Sequence, residues 1–422
     1  MNPRFMSAVS ELLANSEVPV SPLGALSGIP IVGIVEHIAG PVALGALVAD
    51  GAIGISVEPL SGDPARHYLS HECFSTFHAG KMSVAMDLKT DPNYAKILRA
   101  ASIIIDNRSK RARDKDAVLQ AFLLDANKSE RVIYCYISGF SGHDEHRAGN
   151  DVTVQAATGL AYVNAPTKDQ PLKIGTPLLD FSAADWAVMA IQSRIIQMQR
   201  GIPINDEKNK VIPIQINLAA IAARLMCSQY LAVNKGEAIK PRFWNQDNYV
   251  SVFSFFKASD DVYLSIATLT DASFKIFCER VIMRPDLSEK YPKNALRLEH
   301  NDYIHKEIQA CIAKTTSFFW SEKLKSGNIT YSIVETVASA LQQSYSSHLF
   351  TKTKDGTPII ARPDGATPSL NPAPKLNQHG AVLSRWLDHL ENKQKSQRLA
   401  EENKTRATIP LNYSGQGFKS NL

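Results

Sequence analysis

The sequence predicts an α/β protein organised on a doubly wound, open parallel sheet. Three observations carry that expectation. Short apolar runs rich in Ile and Val recur from residue 29 onward and read as buried strands. Segments with helical spacing separate them, with Gly, Pro and Asp at the changeovers. The length of 422 residues exceeds one small domain, so two domains are expected.

Ile29 to Val35 is the first strand. Pro41 suits a first helical position, Leu44, Leu47 and Val48 form a stripe, and Gly51 ends that helix. Ile53 to Glu58 is the second strand, followed by the turn-rich Pro59-Leu60-Ser61-Gly62-Asp63-Pro64. Lys81 to Thr90 alternates as a strand, Tyr94 to Ala101 is helical, and Ile103-Ile104-Ile105 is the next strand. A helix over Ala117 to Leu124 precedes a strand over Val132 to Ile137. Alternating strands and helices imply parallel βαβ units, whose ligands bind beyond the carboxyl ends of the strands. The loops after Val35, Glu58, Ile105 and Ile137 therefore form the candidate site.

Farther on, a helix from Asp180 to about Arg200 carries Val188, Ile191, Ile195 and Met198 on one face. Val211 to Leu218 reads as a strand leading into a helix that runs through Leu231. Tyr249 to Phe256 and Val262 to Ala267 read as strands of a smaller, mixed domain. The proline-rich stretch from Pro358 to Pro374 reads as an extended return crossing, and Ala381 to Leu390 as a short helix. The expected division is 1–230 for the large domain, 231–335 for the small one, 336–390 for the return, and 391–422 for a polar tail.

Composition narrows the function. A net charge of +5 is compatible with an anionic small molecule and does not argue for nucleic acid. No run approaches the length of a membrane span, and the N-terminus lacks a signal-peptide pattern. The five cysteines are scattered with no CxxC pair, which implies neither a disulfide framework nor a zinc knuckle, and a reducing cytoplasm is expected. His143-Asp144-Glu145-His146 reads as a solvated loop, so no metal is expected. Neither G-x-G-x-x-G after the first strand nor a P-loop occurs.

One stretch concentrates the chemistry: Ile174 to Trp186, an apolar run broken by Gly175 and Pro177 that ends on Asp180 at a helix start. Asp180 is either an N-cap or a carboxylate poised to react. A second is Arg108 to Lys115, which places five basic residues after a strand end. Arg108, Lys110, Arg111 and Lys115 are either phosphate ligands or a solvated face. Lys81 is a further phosphate candidate, against a plain surface lysine, and His37 is first of all a structural hydrogen-bonding group.

The order of these segments over residues 25 to 385 resembles the class III CoA-transferases, the formyl-CoA and carnitine CoA-transferase (CaiB/BaiF) group. Ala39-Gly40-Pro41 resembles the first CoA-contacting loop, in which His37 also lies. Glu58-Pro59 with Gly62-Asp63-Pro64 and Arg66 resembles the second. Gly80-Lys81-Met82-Ser83 with Asp87-Leu88-Lys89-Thr90 resembles G-K-R-S…D-L-K-T, and Asp106-Asn107 resembles E-N. Ile137-Ser138-Gly139-Phe140, Gly149-Asn150-Asp151 with Gln155 and Gly159, and Gly175 to Asp180 follow in the family's order. Pro372 to His379 resembles P-A-P-x-L-G-E-H.

The resemblance implies a Rossmann-like large domain built from both chain ends, a smaller α+β domain, and an interlocked homodimer. It implies coenzyme A as substrate, an acyl-CoA donor, a carboxylic acid acceptor and Asp180 as nucleophile. Asn107 and Lys115 keep matching CoA positions, whereas Arg108-Ser109-Lys110-Arg111 replaces the usual aromatic-R-P-G turn. Asp151 either orients the substrate or Asp180, or caps the helix after it. Asn150 stands where related acyl-CoA racemases have a His, which disfavours racemisation. The region from Trp244 to Phe256 lacks glycine, so formyl-CoA is not the expected substrate. An acyl-CoA racemase or isomerase of the same fold and a non-catalytic CoA-binding homologue are the alternatives.

Overall fold

The computed structural model describes residues 24–125, 131–167, 169–204, 210–239, 250–366 and 368–389, together with 391, 392 and 396. Six strands form one sheet: β1 (Pro30–Ile34), β2 (Ile53–Glu58), β3 (Met82–Ala85), β4 (Ile103–Asp106), β5 (Val132–Ser138) and β6 (Val211–Asn217). Their order is β3-β2-β1-β4-β5-β6, and every neighbouring pair is parallel. The winding direction reverses between β1 and β4, so a crevice opens beyond their carboxyl ends.

Burial on both faces explains the unbroken apolar runs. Along β1, Ile31 joins the core on one face, while Val32 and Ile34 join the core on the other. The first face is covered by α1 (Ala39–Ala49) and the second by α2 (Asn93–Ala100) and α3 (Ala117–Leu124). A short helix, α4 (Asp151–Ala157), follows β5. The longest helix, α5 (Leu178–Gln199), lies beside α1 and buries Leu179, Ala183, Ala184, Ala187 and Ile191. The small side chains of that stripe allow the two helices close approach.

Several boundaries differ from expectation. The strand expected over Lys81 to Thr90 is limited to Met82–Ala85, because an Asp87-centred turn accepts from Lys89 N and Thr90 Oγ1. α1 starts at Ala39, so Pro41 is its third residue, still within the turn whose N–H groups have no helical partner. α5 starts at Leu178, which puts Asp180 inside the first turn instead of at the cap. The segment 171–177 before it forms no strand. The helix after β6 breaks at Met226 into α6 (Leu218–Leu225) and α7 (Cys227–Asn234).

A second, antiparallel sheet has the order β7 (Phe253–Lys257), β8 (Tyr263–Ala267), β9 (Thr330–Ile333). It packs its own core, which includes Phe256, Leu264, Phe274, Ile308 and Trp320. The expected strand from Tyr249 begins at Phe253, and Tyr249 lies outside the described residues. A hairpin of β10 (Phe350–Lys352) and β11 (Pro358–Ile360) then leads back to the large sheet. Helix 380–389 seats Leu383, Trp386 and Leu387 in the second face of the main core. Of the polar tail expected over 391–422, all but residues 391, 392 and 396 lie outside the described residues, as do residues 1–23. Among the described residues, no helix is long and apolar enough to cross a membrane.

Candidate active site

A crevice of about 780 Å³ lies beyond the carboxyl ends of β1 to β4, lined by Glu36, Leu60, Lys89, Arg108 and Lys115 among others. It lies where the winding reverses between β1 and β4, and there the Asn107 side chain, directly after β4, ties that strand end to Glu36, just beyond β1. Its Nδ2 donates to Glu36 O at 2.7 Å and its Oδ1 accepts from Glu36 N at 2.9 Å. The amide thus satisfies both backbone groups of Glu36, which the ladder no longer reaches. Gly40 fits closely here, since a Cβ on it would fall 2.9 Å from Asn107 Cγ and 2.6 Å from a Val35 methyl.

The basic run splits on folding. Arg108 is ion-paired with Asp106 at 2.7 Å and with Asp116 at 3.0 Å, while still lining the crevice. Arg113 is buried, paired with Glu145 at 2.7 Å and stacked over Tyr136. Lys110 pairs with Asp114 at 2.7 Å on the surface. Arg111 and Lys115 stay exposed, and Lys115 lines the crevice beside Lys89.

Lys81 is the clearest departure from expectation. It is wholly buried and donates from Nζ to Pro41 O at 2.7 Å, so it braces the first turn of α1 from beneath and does not reach the crevice. Burial pushes its ammonium down to about 7, against the opposing pull of Asp63 and Glu58.

His37 turns the chain between β1 and α1 with a φ of 68°, in the left-handed region. The Asp63 carboxylate holds that turn. Asp63 Oδ1 accepts from His37 N at 3.1 Å and from Ala65 N at 2.8 Å. The His37 ring turns away from the crevice, and its Nδ1 lies 3.2 Å from Tyr68 Oη. Ala39, the first residue of α1, is buried.

Asp151 and Asp180 come together. The peptides of Gly139 and Gly149 touch, since a Cβ on Gly139 would stand 2.5 Å from Gly149 Cα. This contact sets the start of α4 against the end of β5. Asn150 caps α4 through a reciprocal pair with Thr153, which frees Asp151 for another task. Asp151 Oδ2 accepts from Leu179 N at 2.7 Å and Asp180 N at 3.3 Å, while Oδ1 accepts from Gln155 Nε2. The buried Gln155 in turn accepts at Oε1 from Ile174 N at 2.9 Å. Asp151 therefore caps α5, not its own helix.

The Asp180 carboxylate accepts no hydrogen bond among the described residues. Burial, and then the neighbouring Asp151 charge, push it up to about 6. Asp180 also acts electrostatically on Tyr68, whose phenol is pushed up to about 12 by burial, then Asp63, then Asp180. A half-buried carboxylate with unoccupied oxygens at a helix N-terminus can attack an electrophilic carbonyl.

The chain's sequence from residue 26 to residue 380 matches the family model described as CoA-transferase family III. The chain belongs to CoA-transferase family III. It is 25% identical over 338 residues to succinyl-CoA:glutarate CoA-transferase of Mus musculus, covering 76% of this chain and 75% of the relative. It is 26% identical to succinate–glutarate CoA-transferase of Agrobacterium fabrum, covering 87% and 96%. A crystal structure of a CaiB/BaiF family protein from Brucella suis superposes with a TM-score of 0.70 at 22% identity, covering 86% of this chain and 99% of that one. This family III member is an enzyme of the CoA-transferase class, and its mixed α/β fold with a central parallel and a smaller antiparallel sheet matches that structure.

Some parts of the site escaped sequence reasoning. Tyr68 belongs to no motif and follows a turn that gives no hint of its direction. Lys89 and Gln155 stand within the segments quoted above, yet which of those residues face the crevice or the arm depends on the folded chain. The His143 to His146 segment is an exposed 3₁₀ turn, and no group of three metal-ligating side chains occurs among the described residues.

Proposed function

We propose that this family III enzyme transfers CoA between carboxylic acids through covalent intermediates on Asp180. The observation that carries the reading is the Asp180 carboxylate, desolvated, unoccupied and fixed by the Asp151 cap. One Asp180 oxygen attacks the thioester carbonyl of an acyl-CoA. The C–S bond breaks, leaving an acyl-aspartyl anhydride and CoA thiolate. The thiolate attacks the aspartyl carbonyl of the anhydride, and the donor acid leaves as a carboxylate. An acceptor carboxylate then attacks the aspartyl-CoA thioester, expelling thiolate and forming a second anhydride. Thiolate attack on the acceptor carbonyl of that anhydride regenerates Asp180 and releases the new CoA thioester. Splitting the exchange this way replaces one difficult displacement by easier steps.

Asp151 acts by holding the backbone of α5, since both its oxygens are engaged. The CoA nucleotide occupies the crevice, with Arg108, Arg111, Lys115 and Lys89 toward its phosphates, and Lys110 at the rim. His37, Ala39 and Asn107 shape the loop beside it. The matched relatives are named for succinate and glutarate, so dicarboxylic acids are the first acceptors to assay. The chain functions as an interlocked homodimer, divided near residues 230 and 335, in the cytoplasm.

The test is chemical trapping. Incubation with succinyl-CoA followed by hydroxylamine or borohydride modifies Asp180, detected by peptide mass spectrometry. Asp180→Ala abolishes both modification and exchange. Normal exchange by that variant would refute the assignment.

A further inference from the structure

We propose that Asp63 and Lys81 are positioning residues that form a buried charge couple, which holds loop 36–41 in its CoA-binding shape only while Lys81 is an ammonium. The inference rests on the reading that CoA occupies the crevice, and it names what controls that occupancy.

Loop 36–41 is held from outside at three points. Asn107 takes both backbone groups of Glu36, which lines the crevice. Asp63 Oδ1 accepts from His37 N at 3.1 Å, and Lys81 Nζ donates to Pro41 O at 2.7 Å. His37 needs such a hold, since non-glycine residues keep a φ of 68° only where the surroundings enforce it. Two of the three ties thus come from ionisable groups, and both of those groups are wholly buried.

Geometry couples the two. Ile55, Val57, Met82 and Val84 face one core of the sheet, so Ser56, Glu58, Lys81 and Ser83 leave the opposite face, beneath α1. A Cβ on Gly45 of α1 would stand 3.6 Å from Lys81 Cε. Glu58 Oε2 accepts from Asp63 N at 3.0 Å, which brings Asp63 to the same face.

The other charged groups there are already engaged. Arg66 gives Glu58 two bonds of 2.7 Å and lies over Phe74, on whose ring His78 stacks at 4.0 Å. His78 Nε2 stands 3.9 Å from Asp63 Oδ2, beyond hydrogen-bond reach, and burial, then the Lys81 and Arg66 charges, keep its ring neutral. His379 accepts at Nδ1 from Ser83 N, and burial lowers its pKa as well. α1 carries no ionisable side chain. Asp63 Oδ2 takes no hydrogen bond. Lys81 is therefore the cation left to balance Asp63 among the described residues around it.

A buried charge that loses its partner is costly. When Lys81 gives up its proton, Asp63 is stranded, and it regains water by releasing the exposed His37. Burial brings the Lys81 ammonium down to about 7, against the pull of Asp63 and then Glu58, so this loss falls within the working range.

The test is the pH course of CoA affinity. Free CoA is titrated calorimetrically into the wild type, Lys81→Met and Asp63→Asn from pH 6 to pH 9. Met keeps the length of the stem without the charge, Asn keeps an acceptor for His37 N, and thermal melts check both folds. Wild-type affinity is expected to hold level below pH 7, then to fall about fivefold from pH 7 to 8 and about tenfold per unit beyond, the course of one required proton. Ionisation of the CoA phosphate adds negative charge and strengthens binding, so it does not mimic the fall. Lys81→Met binds about 10- to 100-fold more weakly at pH 6, the usual worth of a hydrogen bond from a charged group, and shows no bend. Asp63→Asn moves the bend to lower pH, because the carboxylate no longer supports the ammonium. In steady-state assays at pH 7 both variants raise KM for succinyl-CoA and keep kcat.

A level wild-type affinity from pH 6 to pH 9 overturns the couple, as does a bend that survives in Lys81→Met. Weaker binding in Asp63→Asn with an unmoved bend overturns it too, by leaving Asp63 a merely structural role. If Lys81→Met does not fold, the direction of the Asp63→Asn bend decides. Tight CoA binding without exchange to any acid overturns the transferase reading alone, since the bend still judges the couple. A wild type that binds no CoA overturns both.

Discussion

Asp180 shows how one residue's surroundings set both its reactivity and its cost. Burial and the Asp151 charge raise its carboxyl from 3.8 to about 6. The folded state thus binds the proton more tightly than the unfolded chain does. The resulting stabilisation is fully present below about pH 4 and is lost as pH rises through about 6. Asp180→Asn is therefore expected to melt above the wild type at pH 8, by at most about 3 kcal/mol, with the difference vanishing near pH 4. Calorimetry at both pH values checks this. The proposed anhydride formation, which needs the ionised carboxylate, is expected to rise over the same interval in single-turnover measurements with acyl-CoA. The sequence pointed to this residue because Gly175, Pro177 and a helical pattern bracket it. It offered Asp151 as a partner of Asp180 but not as the cap of α5, since those contacts join position 151 to 179 and 180 through space.

Among the elements, the junction of β5, α4 and α5 governs where Asp180 sits. Three local choices agree there: glycines where two backbones touch, Asn150 capping α4, and Asp151 spared to cap α5. Gly139→Ala forces the touching peptides apart and is expected to destabilise by about 1–3 kcal/mol. Its larger effect falls on kcat, because α4 carries Asp151 with it. Gln155→Leu keeps the volume but frees Ile174 N and one Asp151 oxygen, which leaves a partly buried donor unmet at about 1 kcal/mol. A loss of kcat with an unchanged KM for acyl-CoA is the expected signature, read from steady-state kinetics. Element type was legible in the chain because apolar periods of two and 3.6 are local. The starts of α1 and α5 were not, since Lys81 beneath the first and Asp151 above the second come from elsewhere.

At the scale of the molecule, three distant segments meet in one buried network. Glu58 on β2 takes two hydrogen bonds from Arg66, each 2.7 Å, and one from Ser83 Oγ at 2.6 Å. Burial works to raise the Glu58 carboxyl, yet the bonds from Arg66 and Ser83 bring it below its ordinary value. Arg66 also donates to Pro374 O at 3.0 Å, while Ser83 N donates to His379 Nδ1 and Ser83 O accepts from His379 N. Arg66→Ala leaves Glu58 charged without its partner, and a loss of about 3–5 kcal/mol is expected in urea unfolding. Faster proteolysis of the 371–380 segment is expected alongside. The three motifs were visible in the sequence as separate likenesses, but their joining was not, because about 300 residues separate Ser83 from His379.

That last contact bears on how the chain is made. β3 is an outer strand of the large sheet, hydrogen-bonded in the ladder to β2 alone. Its open side is sealed by Asn377 and His379, which bond to Ala85 N and Ser83 N. An unsealed strand edge is a template for another chain. On the ribosome, the six-stranded sheet is complete at Asn217, and the residues that close its edge emerge about 160 positions later. At ordinary synthesis rates the gap lasts roughly 8–30 s. For that interval each nascent chain presents a bare edge to its neighbours on the same messenger, so the 371–380 segment, made long after the sheet it seals, decides whether that sheet escapes edge-to-edge association.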